Sequence, residues 1–218
     1  MVNAEYLCMN CMNGYVANNQ CKSCGSYVLK SQELPSALPL RTILNGRYIV
    51  GRMLGAGRFG ATYLGYDLQE NRRIAIKEFM PSGMVRRDIG KTQMQIVSEK
   101  KDFNDSMKRF LEEARMIYRY MDNPNVLKIY SLFQENSTAY YVMEYLEGCD
   151  LKHLMKQYGG RLAWPDVKHF TIQIIDALMV LHADGIVHRD ISPDNIFISP
   201  KGKTTLIDFG AARLYMAQ

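Results

Sequence analysis

The chain has 218 residues, 47% hydrophobic and 22% charged, an ordinary globular balance that admits one sizeable core plus a small module. Lys and Arg exceed Asp and Glu by 27 − 22 = 5, a surplus that suits phosphate-bearing ligands but is too small to specify nucleic acid. No run of about 18 apolar residues occurs, and Met1-Val2-Asn3-Ala4-Glu5-Tyr6 lacks the basic start and apolar stretch of a signal peptide, so no membrane insertion is expected and the cytoplasm is the expected compartment.

Four of the five cysteines lie in the first 24 residues, as Cys8-x-x-Cys11 and Cys21-x-x-Cys24. Two such knuckles can hold one Zn²⁺ in tetrahedral thiolate coordination. Two disulfides or four free thiols are the alternatives, and disulfides are disfavoured in a cytosolic chain. Residues 1–27 thus read as a structural zinc ribbon whose metal supplies most of its folding energy, because the segment is too short to bury a core. Gly14 and Gly25 follow the second cysteines and suit the tight turns of a knuckle. Residues 28–46, punctuated by Pro35 and Pro39, read as a linker. Residues 1–46 carry no basic aromatic cluster, so nucleic-acid binding is not expected. Cys149 stands alone and reads as a packed thiol.

From Arg47 a strand is predicted to enter Gly55-Ala56-Gly57-Arg58-Phe59-Gly60, and Ala61 to Tyr66 to leave it as a second strand. A GxGxxG followed by a helix would suggest a dinucleotide fold; here β-formers follow, so a strand–loop–strand flap over phosphates fits better. Arg72-Arg73-Ile74-Ala75-Ile76-Lys77 reads as a third strand, with Ala75 and Lys77 on one face. Ala75 is small enough to lie against an adenine ring, and Lys77 can neutralise phosphates. Apolar residues recur with helical period from Phe103 to Met121, on a segment that carries Glu112 and Glu113.

Further along, Trp164 to Ala183 has helical spacing, with Pro165 in the first turn and Gly185 beyond the end. His188-Arg189-Asp190-Ile191-Ser192-Pro193-Asp194-Asn195 follows, then a hairpin of Ile196-Phe197-Ile198 and Thr205-Leu206-Ile207, then Asp208-Phe209-Gly210. An acid, an amide and a second acid at these spacings suit phosphoryl transfer from a nucleotide. Asp190 can accept the proton of a hydroxyl, while Asn195 and Asp208 can hold Mg²⁺ against phosphates.

Taken together these landmarks resemble a protein kinase. Ile76-Lys77-Glu78-Phe79-Met80-Pro81-Ser82-Gly83, the Asp190 loop and Asp208-Phe209-Gly210-Ala211-Ala212-Arg213 are similar to a bacterial Ser/Thr kinase of a Gram-positive group with a cysteine-rich ribbon ahead of the kinase domain. The resemblance implies an α+β fold: an amino-terminal lobe with an antiparallel sheet and one helix over 47–147, then an incomplete helical lobe over 148–218 that stops just after Asp208-Phe209-Gly210. It implies ATP, Mg²⁺ (or Mn²⁺) and a protein substrate phosphorylated on Ser or Thr. Catalytic roles fall to Asp190, Lys77, Glu113, Asn195 and Asp208, with Glu113 preferred to Glu112 as the partner of Lys77. Leu54, Gly55, Gly57, Gly60, Thr62, Ala75, Lys77, Met143, Glu144, Leu146, Asp150 and Phe197 would surround the nucleotide. Ile117, Ile129, His188 and Phe209 would stack as the family's regulatory spine.

Three departures stand out from that pattern. Ser192 replaces the lysine usual in the catalytic loop, Thr62 replaces valine over the adenine, and the stretch from Pro81 to Asp102 is longer than usual. Met94 to Ser98 in that stretch could form a small hairpin. No Ala-Pro-Glu follows Gly210, so transfer to peptides is expected to be impaired, the Trp164 helix to expose apolar surface, and a partner chain to be a candidate cover for it. The competing readings are a non-catalytic kinase-like scaffold acting through its ribbon, a small-molecule kinase, which Arg189 disfavours, and a nucleic-acid-binding ribbon.

Overall fold

The computed structural model describes residues 4–28, 30–32 and 34–215. Met1 to Asn3, read above for a leader, and Leu29 and Glu33 of the expected linker lie outside the described residues. The chain forms two compact units, Met1–Leu111 with Tyr130–Tyr145, and Glu112–Ile129 with Leu146–Gln218.

In the first unit, β1 (Val16–Ala17) and β2 (Gln20–Cys21) form the ribbon hairpin. Asn18 and Asn19 turn it at φ 52° and 62°, a conformation asparagine tolerates better than most residues. The main sheet has six strands: β3 (Ile43–Leu44), β4 (Tyr48–Gly57), β5 (Gly60–Asp67), β6 (Arg72–Phe79), and later β9 (Ile129–Glu135) and β10 (Thr138–Glu144), in the order β3-β4-β5-β6-β10-β9. Between β6 and β9 lie β7 (Val85–Arg86), β8 (Gln95–Ile96) and helix α1 (Lys100–Tyr118). The hairpin expected around Met94 is present, and its other strand is Val85–Arg86. Helix α1 begins three residues before the predicted Phe103 and its last residues belong to the second unit.

Strand register assigns the two faces of this sheet, because residues directly opposite share a face. Thr62 pairs with Lys77, Leu64 and Met143 with Ala75, and Tyr66 with Arg73, so these line the front. Tyr63 and Val142 pair with Ile76 and Tyr140 with Glu78, so these line the back. The back is covered by the stretch expected as a linker. Ala37, Leu38 and Leu44 are buried there with Tyr48, Val50, Tyr63 and Ile76, and the Leu38 N–H donates to the Tyr63 hydroxyl at 3.2 Å. Ala37, Leu38 and Leu44 of the stretch 28–46 are therefore packed, because these apolar residues close a sheet face.

One ion pair pins the turn between β5 and β6 to the start of β4. Arg47 donates two hydrogen bonds of 2.7 Å to Asp67, whose side chain has no exposed surface. Burial alone would raise the Asp67 carboxyl, but Arg47 and the Glu70 and Gln69 N–H groups outweigh it and hold it below its ordinary value. A depressed carboxylate contributes stability above its unfolded pKa and loses it as pH falls through the folded value. Asp67→Asn is expected to unfold about 2 kcal/mol more easily at pH 7, and the difference to shrink once pH drops below about 4, as read from denaturant midpoints across pH. An equal difference at pH 3 and pH 7 would show that the charge contributes nothing.

The second unit contains β11 (Cys149–Asp150), α2 (Leu151–Gln157), α3 (Trp164–Ala183), β12 (Ile186–Val187), β13 (Ile196–Ile198), β14 (Thr204–Leu206) and β15 (Arg213–Leu214). Helix α3 spans the predicted residues, with Pro165 in its first turn, and Gly185 beyond its end takes φ 72°. Phe170, Ala177 and Leu181 form its buried stripe. Asn125 fastens that helix to the hairpin, donating to Gln173 Oε1 at 3.1 Å and to the Thr204 carbonyl at 2.7 Å. A second stripe, Ile172, Ile175 and Met179, is 48%, 48% and 65% exposed, matching the apolar exposure expected of this helix.

Candidate functional site

The four ribbon thiols converge. Their sulfur atoms all lie within 4.8 Å of one another, with Cys8 Sγ 3.9 Å from Cys24 Sγ and Cys11 Sγ 3.7 Å from Cys21 Sγ. A disulfide would need about 2 Å, whereas a tetrahedron of Zn–S bonds of about 2.3 Å has edges close to 3.8 Å. Burial pushes the Cys11 thiol up to about 12, while the Ser26 hydroxyl brings Cys24 down to about 6. Four thiolates at this spacing would repel; a divalent cation that displaces the thiol protons would offset that repulsion. The donor set therefore fits zinc. Gly25 takes φ 71°, as a knuckle turn requires. Gly14 has another reason to be glycine: a Cβ there would stand 2.3 Å from Ser23 Oγ.

The glycine-rich loop closes as a hairpin, with Gly57 opposite Gly60 and Arg58-Phe59 between. At Gly60 a Cβ would meet the Glu78 carbonyl at 2.2 Å, so the close approach of β6 excludes any side chain there. Gly55 and Gly57 have no heavy atom within 4 Å of their Cβ positions, leaving their backbone open to a ligand. On the front face Ala75 is buried and Thr62, Met143 and Lys77 are half-buried; Leu54, at a register shift of β4, is exposed. Lys77 Nζ lies 5.5 Å from the centroid of the Tyr141 ring. Phe79 packs on Phe103 and Phe110 of α1, ring centroids 5.3 Å apart in each case. The patch holding Thr62, Ala75, Lys77 and Met143 thus lies between the ribbon, which covers Leu64 and Tyr66, and the start of α1. Glu144 is half-buried at the end of β10.

Within the second unit the acid, the amide and the second acid are tied together. Asn195 Nδ2 donates to Asp190 Oδ2 at 2.8 Å and to the Asp190 carbonyl at 3.0 Å. The Ile207 N–H donates to the Asn195 carbonyl at 3.0 Å, which brings Asp208 to the same end of the hairpin. Arg189 and Asp208 adopt φ 67° and 58°, left-handed conformations that non-glycine residues hold at a cost and that concentrate at functional sites. Glu113 is half-buried and Glu112 exposed. A Cβ on Gly210 would stand 3.5 Å from Glu113 Oε2 and 3.3 Å from Asp208 Oδ1.

Ile117, Ile129, His188 and Phe209 are all buried, and the His188 and Phe209 rings lie 4.6 Å apart. Burial holds the imidazole below its ordinary pKa against the pull of Asp190 and Asp208, so it packs as a neutral ring. Phe197 pairs with Asp150 across β13 and β11, and Leu146 is half-buried. Asp150 also has a structural role: it caps α2, accepting from the His153 N–H at 2.8 Å. Burial would raise its carboxyl, but the His153 bonds prevail and lower it.

Sequence reasoning missed a buried charge network on the back of the sheet. Arg87, from the long stretch after β6, pairs with Glu78, and neither side chain has exposed surface. Glu78 also accepts from the Tyr63 and Tyr140 hydroxyls at 2.8 Å each. Arg87 donates to the Thr92 and Ser36 carbonyls at 3.0 Å each. The available signal was Glu78 itself, an acid whose alternation places it on a face of apolar residues.

The protein kinase domain family matches residues 48–218. Among curated relatives, serine/threonine-protein kinase PrkC of Bacillus subtilis is 34% identical over 169 residues, 78% of this chain and 23% of that protein. Serine/threonine-protein kinase PKH2 of Saccharomyces cerevisiae is 31% identical over 164 residues, 75% of this chain and 14% of its own length. The chain therefore spans about a quarter or less of these relatives. Among solved structures, PpkA-294 in its apo form superposes with a TM-score of 0.74 at 32% identity, covering 80% of this chain and 62% of that one.

Proposed function

The chain belongs to the protein kinase family and has its fold, and from that membership we propose that it transfers the γ-phosphoryl group of ATP to a serine or threonine hydroxyl. The hydrogen bonds from Asn195 to Asp190 carry this reading. They hold a carboxylate and an amide in fixed relation beside β14, the strand that leads into Asp208. Asp190 orients the hydroxyl and takes its proton. Asn195 and Asp208 hold Mg²⁺ or Mn²⁺, which supplies positive charge against the phosphates. Lys77, with Glu113 assigned to it by the kinase pattern, and the open backbone at Gly55 and Gly57 position the phosphates. Leu54, Gly60, Thr62, Ala75, Met143, Glu144, Leu146, Asp150 and Phe197 complete the proposed nucleotide set. Ser192 leaves the loop without the lysine usual there, so transfer is slower than in kinases that have it unless another cation takes its place. Zn²⁺ on Cys8, Cys11, Cys21 and Cys24 is structural. No helix among the described residues is long and apolar enough to cross a membrane.

Calorimetry with Mg²⁺ and ATP tests the nucleotide reading. Saturable, Mg²⁺-dependent binding is expected in the parent chain and its loss in Asp208→Ala. A folded parent that binds no ATP, or an Asp208→Ala chain that binds it equally well, would overturn the assignment.

A further inference from the structure

We propose that Arg52 is a positioning residue that carries metal occupancy of the four-thiolate ribbon to the glycine-rich strand. The inference rests on the nucleotide reading of Gly55 to Gly60. It starts from a gap in the sheet. Strands β4 and β5 pair in register up to Val50 opposite Gly65, shift, resume at Met53 opposite Tyr63, and shift again before Gly55. Gly51 and Arg52 therefore have no partner residue on β5 in that register. A buried N–H without a partner is costly, and here groups outside the sheet supply the partners.

The Arg52 N–H donates to the Met9 carbonyl at 2.8 Å, and Arg52 Nε donates to the Asn10 carbonyl at 2.9 Å. Gln32 completes the repair, donating to the Gly51 carbonyl at 2.7 Å and accepting from the Met53 N–H at 2.9 Å. Met9 and Asn10 are the two residues between Cys8 and Cys11. Both carbonyls that hold β4 thus sit inside a metal knuckle, flanked on each side by a ligand.

Packing reinforces the link. Met9 and Met12 are buried against Ile49, Leu64 and Tyr66. A Cβ on Gly51 would meet Met12 Cε at 2.4 Å and the Met9 carbonyl at 2.8 Å, so the ribbon seats directly on the strand. Arg52 lies two residues before Leu54 and three before Gly55. The ribbon is too small to hold its shape by burial alone, so metal coordination sets how firmly Met9 and Asn10 present their carbonyls. Loss of metal loosens those two acceptors, and the bulged part of β4 loosens with them.

The test compares the full 218-residue chain stripped of metal, dialysed free of chelator, with the same chain reloaded with Zn²⁺. Hydrogen exchange is read at the Arg52 amide and Mg²⁺–ATP affinity by calorimetry. Expected on stripping are loss of protection at Arg52 and about 10-fold weaker ATP binding, a usual size for coupling between sites. Two variants are measured with zinc bound, so the result does not depend on the stripped chain staying folded. Arg52→Ala removes the side-chain link, and Gly51→Ala wedges the ribbon from the strand. Both are expected to retain one zinc per chain, bind ATP several-fold more weakly and respond less to stripping. Arg52 protection and ATP affinity indifferent to zinc, or parental ATP affinity in both zinc-loaded variants, would overturn the proposal. Zinc-dependent protection with no ATP binding in either state would overturn it through the nucleotide reading, leaving only a mechanical link.

Discussion

Asp190→Asn is expected to lower phosphoryl transfer by about 10²–10⁴-fold, the usual contribution of a positioned general base, while ATP affinity stays near that of the parent. The substitution keeps the side chain's size. It removes the group that accepts a proton, and the hydrogen bond from Asn195 Nδ2 can still end on an amide oxygen at the position of Asp190 Oδ2. Binding and chemistry should therefore separate, because Asp190 is proposed to act on the hydroxyl and not on the nucleotide. Transfer of labelled γ-phosphoryl to Ser- and Thr-containing peptides, followed alongside ATP binding, checks both halves. An Asp190→Asn chain that transfers as fast as the parent would remove Asp190 from the mechanism. Equal losses of binding and transfer would mean that it shapes the metal site instead.

Arg87→Met is expected to destabilise the fold by about 3–5 kcal/mol, the cost of removing one partner from a buried ion pair. Glu78 would be left as a carboxylate with no exposed surface, its charge offset only by the Tyr63 and Tyr140 hydroxyls. Burial, with the Glu78 charge beside them, already pushes both phenols upward, so they serve as neutral donors. Arg87→Met combined with Glu78→Gln should recover part of the loss: the buried charge disappears, the amide oxygen still accepts from one tyrosine hydroxyl, and the other hydroxyl, which faced the second carboxylate oxygen, can accept from the amide N–H. Denaturant midpoints at unchanged m-value measure the difference. A single variant within about 1 kcal/mol of the parent would show that the network is relaxed or hydrated in solution. The network also gives the stretch after β6 a physical role. It anchors that stretch to β5, β6 and β10 before the chain turns into α1.

Much of this was legible in the residue order. Trp164 to Ala183 reads as a helix from its period and its proline, and the strands on either side of Gly55–Gly60 read from their β-formers. Asp190, Asn195 and Asp208 were nameable because phosphoryl transfer needs those groups in nearly fixed sequence relation. The cysteine spacing was equally direct, and the thiols meet at distances suited to a tetrahedral cation. Residues 28–46 read only as a linker, since prolines and weak periodicity do not reveal that Leu38 and Leu44 are buried against the sheet. Glu78 and Arg87 gave little warning, because a buried pair is recognisable only when both partners are seen.

Residue order alone thus accounts for the short-range features: helix and strand periods, the glycine loop, the thiol knuckles and the spacing of Asp190 and Asn195. Each is set by contacts within a few residues, where local sterics and periodicity decide the outcome. Three features needed the folded chain to be seen. The ribbon seats on the front of the sheet against Gly51 and Arg52, residues 34–44 close its back, and Arg87 returns to Glu78. Those depend on strand register and on pairs far apart in the chain: a shift of one residue in register would turn Tyr63, Glu78 or Tyr140 to the opposite face.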